Sequence, residues 1–408
     1  MYTSLAKVFY KNPDDYETIY LSRYNSENSE HLYFSYIEPS PFFMYTKEIT
    51  HLLSDIHKLN TEIILSIERL PGVAISAFTR KSLVEEIFQT NEIEGVRSTR
   101  KEITNILDKP SVRKRFSGIV NKYLKLDQSN SIKTCQDIRT IYNEIVYEEI
   151  KEENEKSLPD GDIFRKDSVS IYSATNTEIH KGLYPESKII GAMTEALNIL
   201  NSTDIDSLIA VAIFHYLFGY IHPFYDGNGR TGRFISSCYL TQILNPLIGY
   251  RLSYTIKKNQ KKYYDAFDVT NNKNSKGDLT IFIISFLEIL QASMENLNTA
   301  LQVRKESLDY YSSVLEKIVK KHIDKKKESN YISQILFLLT QVELFSKDGI
   351  TISEISNHIS LNSQSIKKLM ENDIVSNFIK VDKSRKAYRY SINLDALNKE
   401  SDKSLSHM

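Results

Sequence analysis

The chain contains no tryptophan and only two cysteines, Cys135 and Cys238. Two cysteines so far apart give neither a metal-ligand spacing nor a disulfide framework. Cys238, set in an apolar stretch, reads as a buried core thiol, and a reducing compartment fits this usage. Net charge is also missing: Lys+Arg and Asp+Glu both number 52. No global pull toward nucleic acid or a membrane surface follows. No apolar stretch backs the first ten residues, so they do not read as a secretory signal. The longest apolar runs, 208–221 and 279–290, are shorter than a bilayer requires and read as core helices. A cytoplasmic protein without membrane attachment is expected. Its 408 residues, 41% hydrophobic, are enough for two or three domains with proper cores.

What the chain does have is concentrated in residues 222–233, His-Pro-Phe-Tyr-Asp-Gly-Asn-Gly-Arg-Thr-Gly-Arg. Apolar segments flank this stretch, so a helix–loop–helix is expected. Gly227 and Gly229 are expected to allow left-handed backbone, turning successive N–H groups inward as an anion nest. Arg230 opens the following helix, whose dipole favours anions, and Arg233 lies one turn later on the same face. Two guanidinium forks suit a triphosphate better than one. Asp226 would repel a bare anion, so its natural partner is Mg²⁺, which takes a carboxylate together with phosphate oxygens. His222, neutral near pH 7, can accept a proton from a hydroxyl, and Pro223 fixes the chain after it. A lone histidine at a helix end is ordinarily a cap, and a lone Gly-x-Gly ordinarily a turn. Here the elements coincide in order and spacing, which favours a polyphosphate site beside a base.

The stretch resembles in full the motif of the Fic family, His-Pro-Phe-x-Asp/Glu-Gly-Asn-Gly-Arg-x-x-Arg. The resemblance implies a mainly α fold: a Fic-type helical bundle with a small β-hairpin flap. It implies a protein adenylyltransferase, moving AMP from ATP to a Tyr, Ser or Thr hydroxyl of a target protein and releasing pyrophosphate. By the same resemblance His222 is the catalytic base and Asp226 holds Mg²⁺. Gly227, Asn228, Gly229 and Gly232 lie at the nucleotide, and Arg230 and Arg233 bind the β- and γ-phosphates. A branch of the superfamily with Lys near the position of Gly229 binds the nucleotide reversed and acts as a kinase. The glycine here favours AMP transfer.

Two further patches belong with the motif. Residues 263–283 resemble the family's Tyr-Tyr-x-x-Leu segment, with Phe267 in place of Leu and a longer insert at 271–276. Tyr264 and Asn271 fall where that family contacts the nucleoside, and an aromatic face and an amide edge suit adenine and ribose. Taken alone, Tyr264 would be an ordinary packing aromatic. In residues 82–95, Leu83, Ile87, Thr90 and Glu94 share one helical face, with Gly95 as its C-terminal cap. Glu94 therefore continues an apolar stripe, and a carboxylate there needs a cation partner. The segment from Thr90 to Gly95 resembles the family's inhibitory motif, Ser/Thr-x-x-x-Glu-Gly/Asn. That implies that Glu94 pairs with Arg233 and blocks γ-phosphate docking. Some relatives use this glutamate to remove AMP from the target; the sequence leaves that open here.

Residues 1–129 read as an N-terminal helical region carrying the inhibitory helix at about 82–95. Within it, 1–50 look irregular, and 97–125 hold two short helices split near Pro110. The Fic catalytic core spans 130–295. Between residues 161 and 185, Val169 and Ile171 alternate with serines, which suggests the hairpin flap. By resemblance the flap pairs with an extended target segment through strand addition. A helical linker (296–329) leads to a winged helix-turn-helix-like module (330–398), and 399–408 are expected to be a disordered tail. Lys367, Lys368, Lys383, Arg385 and Lys386 give the last module a DNA-binding reading, set against an ordinary interaction or dimerisation module. Two other functions stay open: a DNA-binding regulator using the Fic fold as a nucleotide sensor, and transfer of another nucleoside monophosphate. Self-association into a homodimer is open as well.

Overall fold

The computed structural model describes residues 2–109, 114–128, 131–172, 178–322, 326–384 and 387–405. Among them the fold is mainly α-helical, with three small two-stranded antiparallel sheets. The chain divides into two units, Met1–Thr61 with Ser82–Asn296, and Glu62–Lys81 with Leu297–Met408.

The centre of the first unit is the helix Ser207–Ile221. Asp206 caps its start, accepting from the amide of Leu208 at 2.8 Å. Apolar residues cover every side of this helix, and it is accordingly buried all round. Helices Glu186–Leu200 and Asn228–Ile243 pack against it. Gly232 permits the second contact: a Cβ there would lie 3.0 Å from Cδ1 of Phe218. This residue, placed at the nucleotide by resemblance, sets a helix–helix spacing. Helix Cys135–Tyr142 starts with a capping box between Thr134 and Asp137. It runs through a π-turn, Asn143–Tyr147, into Glu148–Asn154. Both cysteines are buried, Cys238 fully, and neither forms a disulfide.

The stretch 1–50 is more ordered than its sequence suggests. Helices Leu5–Lys11 and Tyr16–Tyr24 and the strand pair Ser29–His31 with Phe42–Met44 enclose a core of Leu5, Val8, Tyr16, Tyr20 and Phe42. Tyrosine carries much of that apolar surface, so hydropathy patterning is weak there. Helices Arg100–Asp108 and Ser117–Tyr123 occupy the region where two short helices were expected. Pro110 lies outside the described residues. The hairpin pairs Ser170–Tyr172 with Glu178–Lys181, Ile171 opposite His180, and its tip at 173–177 lies outside the described residues.

The helix Thr280–His322 corrects one expectation. The stretch Thr280–Lys321 is long and apolar enough to cross a membrane by length and composition, although 61% of its most apolar window is buried inside the protein. Polar and charged residues after Leu290 interrupt the apolar run and hide that length in the sequence.

In the second unit, helices Lys326–Phe345, Ile352–Ile359 and Ser363–Met370 precede a hairpin of Ile379–Asp382 with Arg389–Ile392. Ile350 adds a bridge to Tyr390 on the hairpin's edge. Thr351 and Glu354 form a capping box on one helix, and Asn362 caps the next. Ile335, Leu339, Ile355, Ile366 and Ile392 form the core. Lys367 and Lys368 are exposed, while Arg385 and Lys386 lie outside the described residues. The tail expected to be disordered from 399 is helical through Leu405, in a helix begun at Leu394 and anchored by the fully buried Leu397. Its polar composition conceals that anchor.

Candidate active site

The site begins where the central helix ends. Pro223 disfavours right-handed helical backbone at the residue before it. His222 takes the left-handed conformation instead (φ 51°, ψ 65°), its amide still donating to Phe218 O at 3.0 Å. A side-chain-bearing residue there costs roughly 1–2 kcal/mol, a strain typical of functional positions. Phe224 is fully buried and stacks on Tyr142 at 3.9 Å between ring centroids. Asn228 closes the loop: its Oδ1 accepts from Phe224 N at 2.9 Å and its Nδ2 donates to Phe224 O at 2.7 Å. The Asn228 amide therefore shapes the turn, and its polar atoms are committed to the main chain.

The two glycines of the turn differ. Gly227 has φ +79°, and a Cβ on it would lie 2.9 Å from Val146 Cγ2. Gly229 is not left-handed as expected; it sits in the first turn of helix Asn228–Ile243. What it supplies is clearance, because a Cβ would fall 2.0 Å from Oε1 of Glu94. The Glu94 carboxylate thus lies against the N-terminal turn of this helix, where an anion is favoured.

Glu94 reaches that place through the way its own helix ends. Helix Gly72–Ile93 stops in a left-handed Gly95 (φ +73°). Val96 N bonds to Asn91 O at 2.9 Å and Gly95 N to Glu92 O at 3.3 Å, the paired bonds of a Schellman motif. Leu83, Ile87 and Thr90 are buried on the face that Glu94 continues. Arg233, 1% exposed, bonds to Thr90 Oγ1 at 3.0 Å and Thr90 O at 3.1 Å, and pairs with Glu94 Oε1 at 2.8 Å. Burial works against the Arg233 charge, but Glu94, joined by Tyr263 and Tyr264, outweighs it and holds the guanidinium above its usual value. Glu86, two turns before Glu94, is fully buried and accepts from Ser253 N at 2.9 Å and Tyr254 N at 3.2 Å.

Arg230 is held differently. It pairs with Glu149, and the two side chains are 1% and 2% exposed. Its Nη2 lies 3.7 Å from Asp226 Oδ1, yet neither Nη2 nor Nε has a hydrogen-bond acceptor. Asp226 is exposed and accepts from Gly227 N. Burial, Arg165 and His180 push His222 down to about 4 against a smaller opposing effect of Glu94, so its imidazole is neutral at pH 7. Tyr264, 43% exposed, lies in the fields of Glu94 and Arg233. Asn271 is engaged elsewhere. Its Oδ1 accepts from Tyr216 at 2.8 Å, on the order of 9 Å along the helix axis before His222.

The structure therefore brings His222, Asp226, Gly227, Gly229, Arg230, Arg233, Glu94 and Tyr264 together around one turn. It adds Glu149 and Arg165, which sequence reasoning missed. Glu149 stands in an acidic run that reads as a solvated face, although Ile145 four residues earlier marks that face as apolar. Arg165 lies in a loop with no periodic signal.

Donor chemistry here fits a polyphosphate with a divalent cation. Two buried guanidinium nitrogens of Arg230 lack acceptors, a carboxylate already occupies the helix N-terminus, and an exposed Asp226 stands beside it.

Comparison with known proteins agrees in part. Residues 133–240 match the model of the Fic/DOC family. The protein adenylyltransferases Fic of Aedes aegypti and of Culex quinquefasciatus are each 38% identical over 72 residues, 18% of this chain. The match spans only 13% of the length of either relative. A crystal structure of a Fic family protein from Desulfovibrio desulfuricans G20 superposes with a TM-score of 0.51 at 20% identity, covering 87% of this chain and 98% of that one. The chain thus has the mainly α-helical Fic fold with its small β-hairpin, and its match to the Fic/DOC family lies in residues 133–240, around the glycine turn.

Proposed function

We propose that this chain is a nucleotidyltransferase that moves AMP from ATP to a Tyr, Ser or Thr hydroxyl of a target protein, and that Glu94 restrains it. The observation that carries the proposal is the Glu94–Arg233 pair, a carboxylate held over the helix turn where a phosphate would lie, beside a neutral His222. His222 takes the proton of the acceptor hydroxyl. The hydroxyl oxygen bonds to the α-phosphorus, and the bond from that phosphorus to the bridging oxygen breaks, releasing pyrophosphate. Arg233 and Arg230 receive the charge of the leaving group, with the first-turn amides of the motif helix. Mg²⁺ held by Asp226 would offset phosphate charge. Tyr264 offers a ring face to the nucleoside; the engaged amide of Asn271 makes it the weaker contact.

Glu94 competes for the same guanidinium that a γ-phosphate needs, so wild-type transfer is slow. Incubating the protein with α-labelled ATP, Mg²⁺ and cell lysate tests this. Glu94→Gly should label proteins faster than wild type, and His222→Ala in that background should not label at all. Equal labelling by wild type and Glu94→Gly would remove the restraining role. Parallel reactions with the other nucleoside triphosphates decide the nucleotide.

Helices Lys326–Phe345, Ile352–Ile359 and Ser363–Met370, the short helix Asp373–Ser376 and the hairpin follow in order, and we read them as a winged helix. The exposed Lys367 and Lys368 on helix Ser363–Met370 are the candidates for DNA phosphates. A gel shift at two salt concentrations checks this through the salt slope.

A further inference from the structure

Arg165 is the largest fully buried side chain that the proposed chemistry leaves without a role. Its guanidinium is spent on three main-chain carbonyls from three stretches of chain. Nε donates to His222 O at 2.9 Å, Nη2 to Leu183 O at 2.8 Å, and Nη1 to Asp167 O. Its own amide donates to Pro223 O at 3.2 Å. Arg165 thus grips the His222–Pro223 dipeptide with side chain and main chain together.

A buried guanidinium needs compensating negative charge. Here it comes from the C-terminal end of helix Ser207–Ile221, where His222 is the cap and the last carbonyls carry the negative end of the helix dipole. The loop that delivers Arg165 is built for the purpose. Glu186 accepts from the successive amides of Asp162, Ile163 and Phe164 at 3.2, 2.8 and 2.8 Å. Lys166 N bonds to Asp160 at 2.9 Å, and Asp167 N bonds to the hydroxyl of Tyr225 in the motif loop at 2.9 Å. Leu183 follows the hairpin and itself donates to Ile221 O at 3.1 Å. Between them sits Gly182, where a Cβ would lie 2.5 Å from Arg165 Nη2 and 3.0 Å from His222 Cβ.

We propose that Arg165 is a positioning residue for His222, fastening the carbonyl of the strained histidine to the chain on both sides of the hairpin. The guanidinium holds the main chain of His222 and ties the end of the hairpin to it. The charged and titratable groups facing the ring are Arg165 from the loop, His180 from the hairpin and Glu94 from the acid-bearing helix. Arg165 and His180 disfavour the imidazolium and Glu94 favours it, so Arg165 also keeps the base unprotonated.

The inference rests on the transfer reaction proposed above, and its test separates the two. Arg165→Met and Arg165→Lys are made in the Glu94→Gly background. NMR follows the ring of His222 through a pH titration with no nucleotide present, so this readout is independent of catalysis. Arg165→Met should raise the titration midpoint by about one pH unit, and Arg165→Lys, which keeps the charge, should leave it low. In the transfer assay Arg165→Met should lower kcat by about 100-fold and change KM for ATP by less than about threefold, with partial rescue by Arg165→Lys. A folded Arg165→Met with an unmoved midpoint, or with kcat within about threefold of its parent, overturns the proposal. Should Arg165→Met not fold, Gly182→Ala wedges the same contact and should lower kcat in the same way. A folded Gly182→Ala with unchanged kcat then overturns it. Absence of transfer by the Glu94→Gly parent itself defeats the proposed function, while the titration still decides the role of Arg165.

Discussion

The two arginines of the motif stand one helical turn apart, and they are held in opposite ways. Arg230 and its partner Glu149 are both sealed, at 1% and 2% exposure. Arg233 is equally buried, but its acid, Glu94, is 26% exposed. An enclosed pair has no water to fall back on, so losing either member strands a charge. The Glu94 carboxylate can be rehydrated as it leaves, and both Thr90 oxygens stay on Arg233 to soften its loss. The partner's exposure, more than that of the arginine, separates a structural pair from a releasable one.

That contrast can be broken most directly at Glu149. Glu149→Ala should cost about 3–5 kcal/mol of folding stability, read by urea denaturation. Next in size is Glu94→Gly, which should raise AMP labelling by at least about tenfold, equivalent to ~1.4 kcal/mol of restraint. Its unfolding free energy should fall less than that of Glu149→Ala, because Thr90 still accepts from Arg233. If both substitutions destabilise alike, the distinction between the pairs fails.

Thr90→Val sharpens the comparison from the same side. It removes the hydroxyl that accepts from Arg233 Nε and leaves the Thr90 carbonyl in place. The expected loss is ~1–2 kcal/mol in a melt, with labelling above wild type and below Glu94→Gly.

The smallest effect at neutral pH belongs to the histidines. Burial first, joined by positive neighbours, lowers His222 to about 4 and His215 to about 3. As pH falls below about 6.5 the unfolded chain binds protons that the native state refuses. Stability should therefore drop on acidification toward pH 4, and His222→Gln should flatten that slope in denaturation midpoints. Glu94 raises the His222 value. Its removal should carry transfer activity to lower pH than in the parent, visible in the acid limb of a rate profile.

The glycine turn is legible in the sequence because its chemistry is local. His222, Asp226, Gly227 and Arg233 lie within twelve consecutive residues and meet through one loop. Glu94 is legible through helical periodicity and its glycine cap. Gly229 and Gly232 show where that logic stops: nothing local reveals that one supplies clearance for Glu94 and the other for Phe218. Sequence spacing cannot say which neighbour a missing side chain makes room for. Glu149 and Arg165 lie 81 and 57 positions from their principal partners, and only the tertiary fold joins them. The helices before residue 25 and after 393 escaped for another reason. Their cores rest on tyrosines or on a single leucine, too few apolar positions to set a period.

The Schellman end of helix Gly72–Ile93 has a mechanical consequence. Glu94 stands on its last, most easily frayed turn, whereas Thr90 stands one turn deeper. Unwinding about four residues would swing the acid away and leave the arginine still moored by the threonine. The proposed restraint would then lift without displacing the helix, and the guanidinium would keep its place beside the motif turn.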